Sequence, residues 1–223
     1  MTTIVAISDT HGLHRQIPVP DGDVLVHAGD LTNVGELDQV QDFNDWLGEL
    51  PHENKVVIAG NHDFCFQDAG TPHRFKSRDK QQVQAEAMLT NCHYLRDSGV
   101  ALAGLNFWGS PWQPWFGSWA FNAQRGREIQ AKWGLIPEST DVLVTHGPPI
   151  NILDSTSRGD SAGCQDLWHA IVNMVKPGLH IFGHIHEAYG THVDEATTYI
   201  NASCCTLAYQ PTNAPIIHVC PTK

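Results

Sequence analysis

The sequence lacks a long apolar run. No hydrophobic stretch approaches the roughly 20 consecutive residues that cross a bilayer, so no membrane span is expected. Nor does its start read as a secretory leader. Met1-Thr2-Thr3-Ile4 passes straight into an apolar strand, with no basic segment ahead of a hydrophobic one. Cysteine occurs six times but forms no framework. Cys204 and Cys205 are adjacent, the other spacings are irregular and no Cys-x-x-Cys occurs. That is a pattern of free thiols in a reducing compartment, and a cytoplasmic protein is the expectation. Basic residues are scarce, 13 Lys and Arg against 24 Asp and Glu, for a formal net charge of −11. So acidic a chain disfavours long nucleic acid or an anionic membrane as partner. A small phosphate ester stays open, because bound cations reverse the local charge of a pocket. Repeats, linkers and low-complexity tracts are also absent. With 41% hydrophobic and 17% charged residues over 223 positions, one globular domain covering residues 1–223 is expected.

Histidine, by contrast, is abundant, with fourteen in the chain. Several stand where short apolar runs end. Ile4-Val5-Ala6-Ile7 leads into Ser8-Asp9-Thr10-His11, and Val24-Leu25-Val26 leads through His27 and Ala28 into Gly29-Asp30. Val56-Val57-Ile58-Ala59 leads into Gly60-Asn61-His62-Asp63. Val142-Leu143-Val144 leads through Thr145 into His146-Gly147, and His180-Ile181-Phe182 into Gly183-His184-Ile185-His186. Runs that are apolar on both faces and rich in β-branched residues read as buried, largely parallel strands. In open α/β sheets, ligands bind just beyond the carboxyl ends of the strands. One rule therefore gathers Asp9, His11, Asp30, Asn61, His62, His146, His184 and His186 at one edge. Singly, each is an ordinary strand-end residue; as an ordered set they point to metal chemistry.

Between the strands, Leu37, Val40, Phe43, Leu47 and Leu50 recur at steps of three and four. They predict a helix over residues 36–50, stopped by Pro51. Further helices are expected over 80–90, 123–135 and 164–176, and a polar loop bordering the site over 64–79. Short strands are expected near 93–95, 100–103, 105–108, 197–201 and 216–219. The Trp- and Pro-rich stretch 107–121 reads as packing for a long connection. Strands alternating with helices, followed by hairpins, indicate two sheets packed face to face with helices outside. The expected fold is therefore α/β, an α-β-β-α sandwich of two mixed sheets with the site at the carboxyl ends of the strands.

The five motifs, in this order, resemble those of the calcineurin-like metallophosphoesterase superfamily. A closer resemblance is to its small metallophosphoesterase domain-containing branch. It rests on Phe43-Asn44-Asp45-Trp46-Leu47-Gly48, Gly109-Ser110-Pro111-Trp112 and Thr198-Tyr199-Ile200-Asn201-Ala202-Ser203. The resemblance implies the same sandwich and two divalent or trivalent transition-metal ions. Mixed His, Asp and Asn donors suit Mn, Zn or Fe rather than Mg or Ca. It also implies that Asp9, His11 and His186 serve one ion, and Asn61, His146 and His184 the other. Spacing alone would let His184 and His186 share an ion. Asp30, a lone carboxylate with two oxygens, is the candidate bridge. Such a pair of ions supplies a metal-bound hydroxide for in-line attack on phosphorus.

His62 points away from Asn61 if the segment is extended, and is the candidate general acid for the leaving oxygen. The reading is a metal-dependent phosphoesterase. The resemblance implies a phosphodiesterase on small substrates such as cyclic nucleotides; a nucleotide phosphomonoesterase or a weakly catalytic protein-binding scaffold are the alternatives. Arg158 lies in the Ser-, Asp- and Gly-rich stretch 151–163, which is expected to overhang the site, and is the candidate phosphate-binding cation. Asp63 is expected to cap the following turn, and His27 to be a buried strand residue. The closer resemblance puts Asn201 near the site. Asn33 falls where protein-phosphatase relatives carry an Asp that polarises the catalytic His, which leaves His62 without an evident partner.

Overall fold

The computed structural model describes residues 1–67 and 79–221. The first apolar runs become β1 (Thr2–Ile7) and β2 (Val24–His27), followed by α1 (Leu37–Glu49), β3 (Asn54–Val57), α2 (Asp79–Met88) and β4 (His93–Tyr94). Next come β5 (Ser98–Leu102), β6 (Leu105–Ser110), the short pair β7 (Gln113–Pro114) and β8 (Asn122–Ala123), α3 (Arg127–Trp133) and β9 (Val142–Thr145). The chain continues through α4 (Gln165–Ala170), β10 (Leu179–Phe182), β11 (Gly190–Val193), β12 (Thr198–Asn201) and β13 (Ile216–Cys220).

Two large mixed sheets result. In the first, β1, β2, β3 and β4 run parallel in that order, and β13 pairs antiparallel with β1. In the second, β12, β10, β9 and β6 run parallel, with β11 and β5 antiparallel at the two edges. Side chains alternate across each strand, and this sets the layers. Ile4, Ala6, Val24, Val26 and Val56 group with Val142, Val144, Leu179 and Ile181 in a buried layer drawn from both sheets. The opposite faces, Val5, Ile7, Leu25 and Val57, group with Val40, Phe43 and Leu47 of α1. Leu143, Phe182 and Tyr199 of the second sheet join the same cluster as Ile129 and Trp133 of α3 and Leu167 of α4. The molecule is therefore an α/β sandwich of four layers. Each large apolar side chain so buried contributes about 1.5–3 kcal/mol.

Several elements depart from the sequence expectation. The helix expected over 123–135 is shorter, because Asn122 and Ala123 pair as β8 and Gly126, at φ 83°, turns the chain into α3. The helix expected over 164–176 loosens into a π-helical turn at Ile171–Val175 and stops at Lys176, which is left-handed ahead of Pro177. The strand near 93–95 extends the first sheet, while the β5–β6 hairpin belongs to the second. Most of the loop expected over 64–79 lies outside the described residues; its beginning, Phe64–Phe66, is a buried 3₁₀ turn. Among the described residues no helix is long and apolar enough to cross a membrane.

Candidate metal centre

The turns after β1 and β2 lock together. Asp9 N donates to Gly29 O at 2.9 Å, His11 N to Asp30 O at 3.0 Å and Gly12 N to Leu31 O at 2.9 Å. To make these contacts Asp9, His11 and Asp30 adopt positive φ of 52°, 44° and 58°, and His184 joins them at 71°. Left-handed backbone costs about 1–3 kcal/mol at a residue other than glycine and concentrates at functional sites. Two glycines make room. A Cβ on Gly183 would fall on the Asp9 carboxylate and the Ser8 hydroxyl, and one on Gly60 would fall on the Asp30 carboxylate.

The side chains then converge. His186 Nε2 lies 3.3 Å from Asp9 Oδ1 and 3.3 Å from His11 Nε2. His146 Nε2 lies 3.3 Å from Asp30 Oδ2 and 2.9 Å from Asn61 Oδ1. The same Asp30 oxygen is 3.9 Å from His11 Nε2, so one carboxylate stands between the two groups. His184 places its ring 5.0 Å from that of His146, and its backbone N–H donates to both Asp9 oxygens at 3.0–3.1 Å. All eight strand-end residues singled out in the sequence thus meet in one place, six of them buried and His62 and His184 half-buried.

Hydrogen positions decide what this cluster binds. His146 Nδ1 faces Ala28 O at 2.9 Å, and His186 Nδ1 faces Thr206 O at 3.0 Å. A carbonyl only accepts, so each Nδ1 carries the hydrogen and each Nε2 presents a lone pair. Those lone pairs meet the Asp9 and Asp30 carboxylates and the Asn61 amide oxygen, all acceptors, at 2.9–3.3 Å, an arrangement that needs a cation between them. Imidazoles fixed by a carbonyl behind them are the usual metal-ligand tautomer. The residues therefore fit metal ions, and three His/Asp groups bring one donor atom each within 4.8 Å of one another: Asp9, His11 and His186; His11, Asp30 and His62; Asp9, Asp30 and His146. A proton answers the same need. Burial opposes charge on His146, yet Asp30 lifts it to about 9; burial opposes charge on His186, yet its bond to Asp9 lifts it to about 9. Burial would raise Asp9 and Asp30, but the surrounding imidazoles hold both below the usual carboxylate range. Burial instead pushes His11 down to about 4 and His184 to about 3.

His62 is oriented by the backbone. Its Nδ1 donates to the carbonyl of Asn33 at 2.6 Å, which supplies the partner that the sequence did not reveal. Its own N–H donates to Asp30 Oδ1 at 2.8 Å. Asp63 does not cap the next turn with its side chain. Its buried carboxylate accepts from Gly60 N at 2.8 Å, Leu31 N at 3.2 Å, and Thr32 N and Oγ1 at 2.9 and 2.7 Å. Asp63 satisfies the Leu31 and Thr32 amides of the Asp30 turn, and the next amide, Asn33 N, donates to Gln39 Oε1 at 2.8 Å. His27 is buried as expected and links two turns: Nδ1 accepts from Gly29 N at 3.3 Å, and Nε2 stands 3.0 Å from Thr10 Oγ1.

The C-terminal part of the chain completes the shell. Asn201 Nδ2 donates to Ile185 O at 2.8 Å and Leu153 O at 3.3 Å. Ser203 Oγ lies 2.9 Å from Asp9 Oδ2 and 2.8 Å from Asn201 Oδ1. Tyr209, at φ 55°, sets its ring edge against His11, centroids 4.8 Å apart. Neither Ser203 nor Tyr209 carries a strand-end signature, so only the resemblance of the tail hinted at this region. A cavity of about 440 Å³ opens beside Asp30, Asn61, His62, His184 and His186, walled by Trp115, Phe116, Trp119 and Tyr209. The Trp-rich stretch therefore divides: Trp112 packs and bonds to Asp97, while Trp115 and Trp119 line the cavity.

The stretch 151–163 borders the cavity through Thr156 and Ala162. Asp154 Oδ2 pins it by accepting from Asn151 N and Gly163 N, each at 3.0 Å, and from the Ser161 hydroxyl. Arg158 is exposed and does not line the cavity. Among the described residues the lining guanidinium is Arg125, which donates to Gly163 O at 2.9 Å and Ala162 O at 3.3 Å. Arg125 sits in a turn before α3, far in sequence from any ligand motif, so no sequence signal marks it.

Comparison with known proteins agrees with this geometry. Residues 2–188 match the family model for calcineurin-like phosphoesterases. The chain is 46% identical over 233 aligned residues to the metallophosphoesterase domain-containing protein 1 of Homo sapiens, covering 99% of this chain and 72% of that protein. The Mus musculus protein of the same name matches to the same extent. Among solved structures, TT1561 of Thermus thermophilus superposes with a TM-score of 0.57 at 13% identity, covering 90% of this chain and 88% of that one, a likeness of fold.

Proposed function

The chain belongs to the calcineurin-like phosphoesterase family, and from that premise we propose that it is a dinuclear metal-dependent phosphodiesterase acting on small esters such as cyclic nucleotides. The observation that carries the reading is the convergence of the His146 and His186 lone pairs with Asp9, Asp30 and Asn61 beside an aromatic-walled cavity. Asp9, His11 and His186 would hold one ion and Asn61, His146 and His184 the other, with Asp30, placed between His11 and His146, available to both. When bound, two such ions neutralise the phosphoryl oxygens and acidify a water molecule; Mn, Zn or Fe suits these donors. The chain's own residues do the rest. The Asn33 carbonyl aims His62 by its Nδ1–H. As the doubly protonated imidazolium, His62 gives its Nε2 proton to the leaving oxygen as the P–O bond breaks, and takes a proton back from solvent afterwards. Water forms the new P–O bond and releases a proton to solvent. Arg158, on the exposed side of its loop, meets only a substrate that extends past the cavity. One domain of residues 1–223 carries the activity, and six cysteines without a disulfide support a cytoplasmic setting.

The test is turnover by metal-stripped protein reconstituted with Mn²⁺, on a model phosphodiester and its matching monoester. A clear diester preference is the expected result. Preference for the monoester overturns the substrate class and favours a nucleotide phosphomonoesterase. No turnover of either, with Mn²⁺ bound, leaves a scaffold.

A further inference from the structure

We propose that Trp119 is a positioning residue that fixes the tilt of the His62 imidazole toward the leaving group. This rests on the reading of His62 as the acid. The bond from Nδ1 to Asn33 O holds one atom of the ring, and the ring can still rock about it. Trp119 holds the face. The two ring centroids are 4.3 Å apart with planes 26° from parallel, the stacked geometry that aromatic pairs favour. His11 meets the same ring edge-on at 4.6 Å. The imidazole is thus bounded on one face and one edge, and tethered at Nδ1.

Trp119 is itself fixed to the site. Ala120 N donates to Asn61 O at 3.0 Å, tying the indole's segment to the residue that precedes His62. The Phe116 ring lies 6.4 Å from the indole with planes 27° from parallel, and Phe64 lies 6.0 Å from it. Asn122 Nδ2 donates to Phe116 O at 3.1 Å and closes the turn. Trp119 is only half-buried and lines the cavity, so core filling does not account for it.

The role has a signature. When the P–O bond breaks, its electron pair goes to the leaving oxygen. An unsubstituted phenolate takes up the His62 proton at that moment, whereas a nitrophenolate leaves as a stable anion. A residue that acts through the acid therefore matters for the first ester and little for the second. The full chain loaded with Mn²⁺ is assayed on methyl phenyl phosphate and methyl 4-nitrophenyl phosphate. Trp119→Leu is expected to lower kcat about tenfold more on the phenyl ester than on the nitrophenyl ester, while any change in KM from the altered cavity wall is shared by the two esters; His62→Ala shows the same kcat pattern, larger. Trp119→Phe, which keeps a flat ring, restores most of the loss. The His62→Ala/Trp119→Leu double variant is no slower than His62→Ala. An equal loss on both esters from Trp119→Leu, or additivity in the double variant, overturns the inference. If His62→Ala discriminates between the esters and Trp119→Leu does not, the inference falls alone. If His62→Ala does not discriminate, the acid assignment falls and takes the inference with it. Should Trp119→Leu fail to fold, Trp119→Met makes the same comparison.

Discussion

At Gly183 a methyl group has nowhere to go, since the Asp9 carboxylate and Ser8 hydroxyl already occupy the place. Gly183→Ala is expected to destabilise the protein by about 1–3 kcal/mol. Because the displaced group is the Asp9 carboxylate, it should also weaken Mn²⁺ binding at least roughly tenfold. Titration calorimetry checks this, and unchanged affinity would count against Asp9 as a ligand. Asp63 is a different kind of case. Burial, with Asp30 nearby, pushes its carboxyl up to about 6, yet four donors surround it. Asp63→Asn sets an NH₂ against backbone N–H groups and leaves donors unpaired. A loss of about 1–3 kcal/mol in denaturant unfolding is expected, with a lower kcat, because the turn from Leu31 to Thr32 that precedes Asn33, the His62 partner, loses its acceptor. The eight candidate site residues were legible because each ends a strand. The left-handed turns that aim them, the Asn33 carbonyl and the Ser203 hydroxyl were not, since they depend on backbone paths and on partners up to 194 positions away.

The elements carry their own lesson. In α1, Phe43 is fully buried, and its ring meets His27 at 4.9 Å and Trp46 at 5.5 Å. Phe43→Ala should cost about 3–5 kcal/mol, read by denaturation, while turnover per folded molecule changes little because α1 lies behind the first sheet. A specific loss of kcat at full folding would mean that α1 tunes the site through His27. This helix was legible from its apolar spacing, and the parallel strands from their β-branched runs. What the sequence hid were events decided by neighbours. β4 belongs to the first sheet because an edge of β3 was open to it. The stretch after β6 splits into packing and cavity wall because β7 and β8 fold it back on itself. A count of Trp and Pro cannot distinguish those two fates.

For the molecule as a whole, the buried imidazoles set a stability optimum in metal-stripped protein. His146 and His186 titrate near 9 when folded and near 6.5 when unfolded. Their contribution is complete below about 6.5 and is lost as the pH rises through about 9. His11 near 4 and His27, His180 and His184 near 3 behave oppositely. Theirs is complete above about 6.5 and fades as the pH falls toward those values. Asp63, lifted to about 6, opposes this acid limb, while Asp9 and Asp30, held below the usual carboxylate range, add to it at lower pH. Thermal melts in a chelator should therefore peak near about pH 6.5, and Mn²⁺ should flatten the alkaline limb, because the ion replaces protons between the same atoms. A melting temperature that climbs steadily through about pH 9 without metal would refute the assigned pairs. The order of the strands has a last consequence, for the making of the protein. β1 leaves the ribosome ahead of every other strand of the two sheets, yet one of its edges pairs with β13, Thr2 opposite Cys220. Asp9 likewise waits for Ser203. Translation of such a chain takes on the order of tens of seconds. Throughout that time an apolar strand stays open to chaperones and to neighbouring nascent chains, and the first sheet closes only when its earliest and latest strands meet.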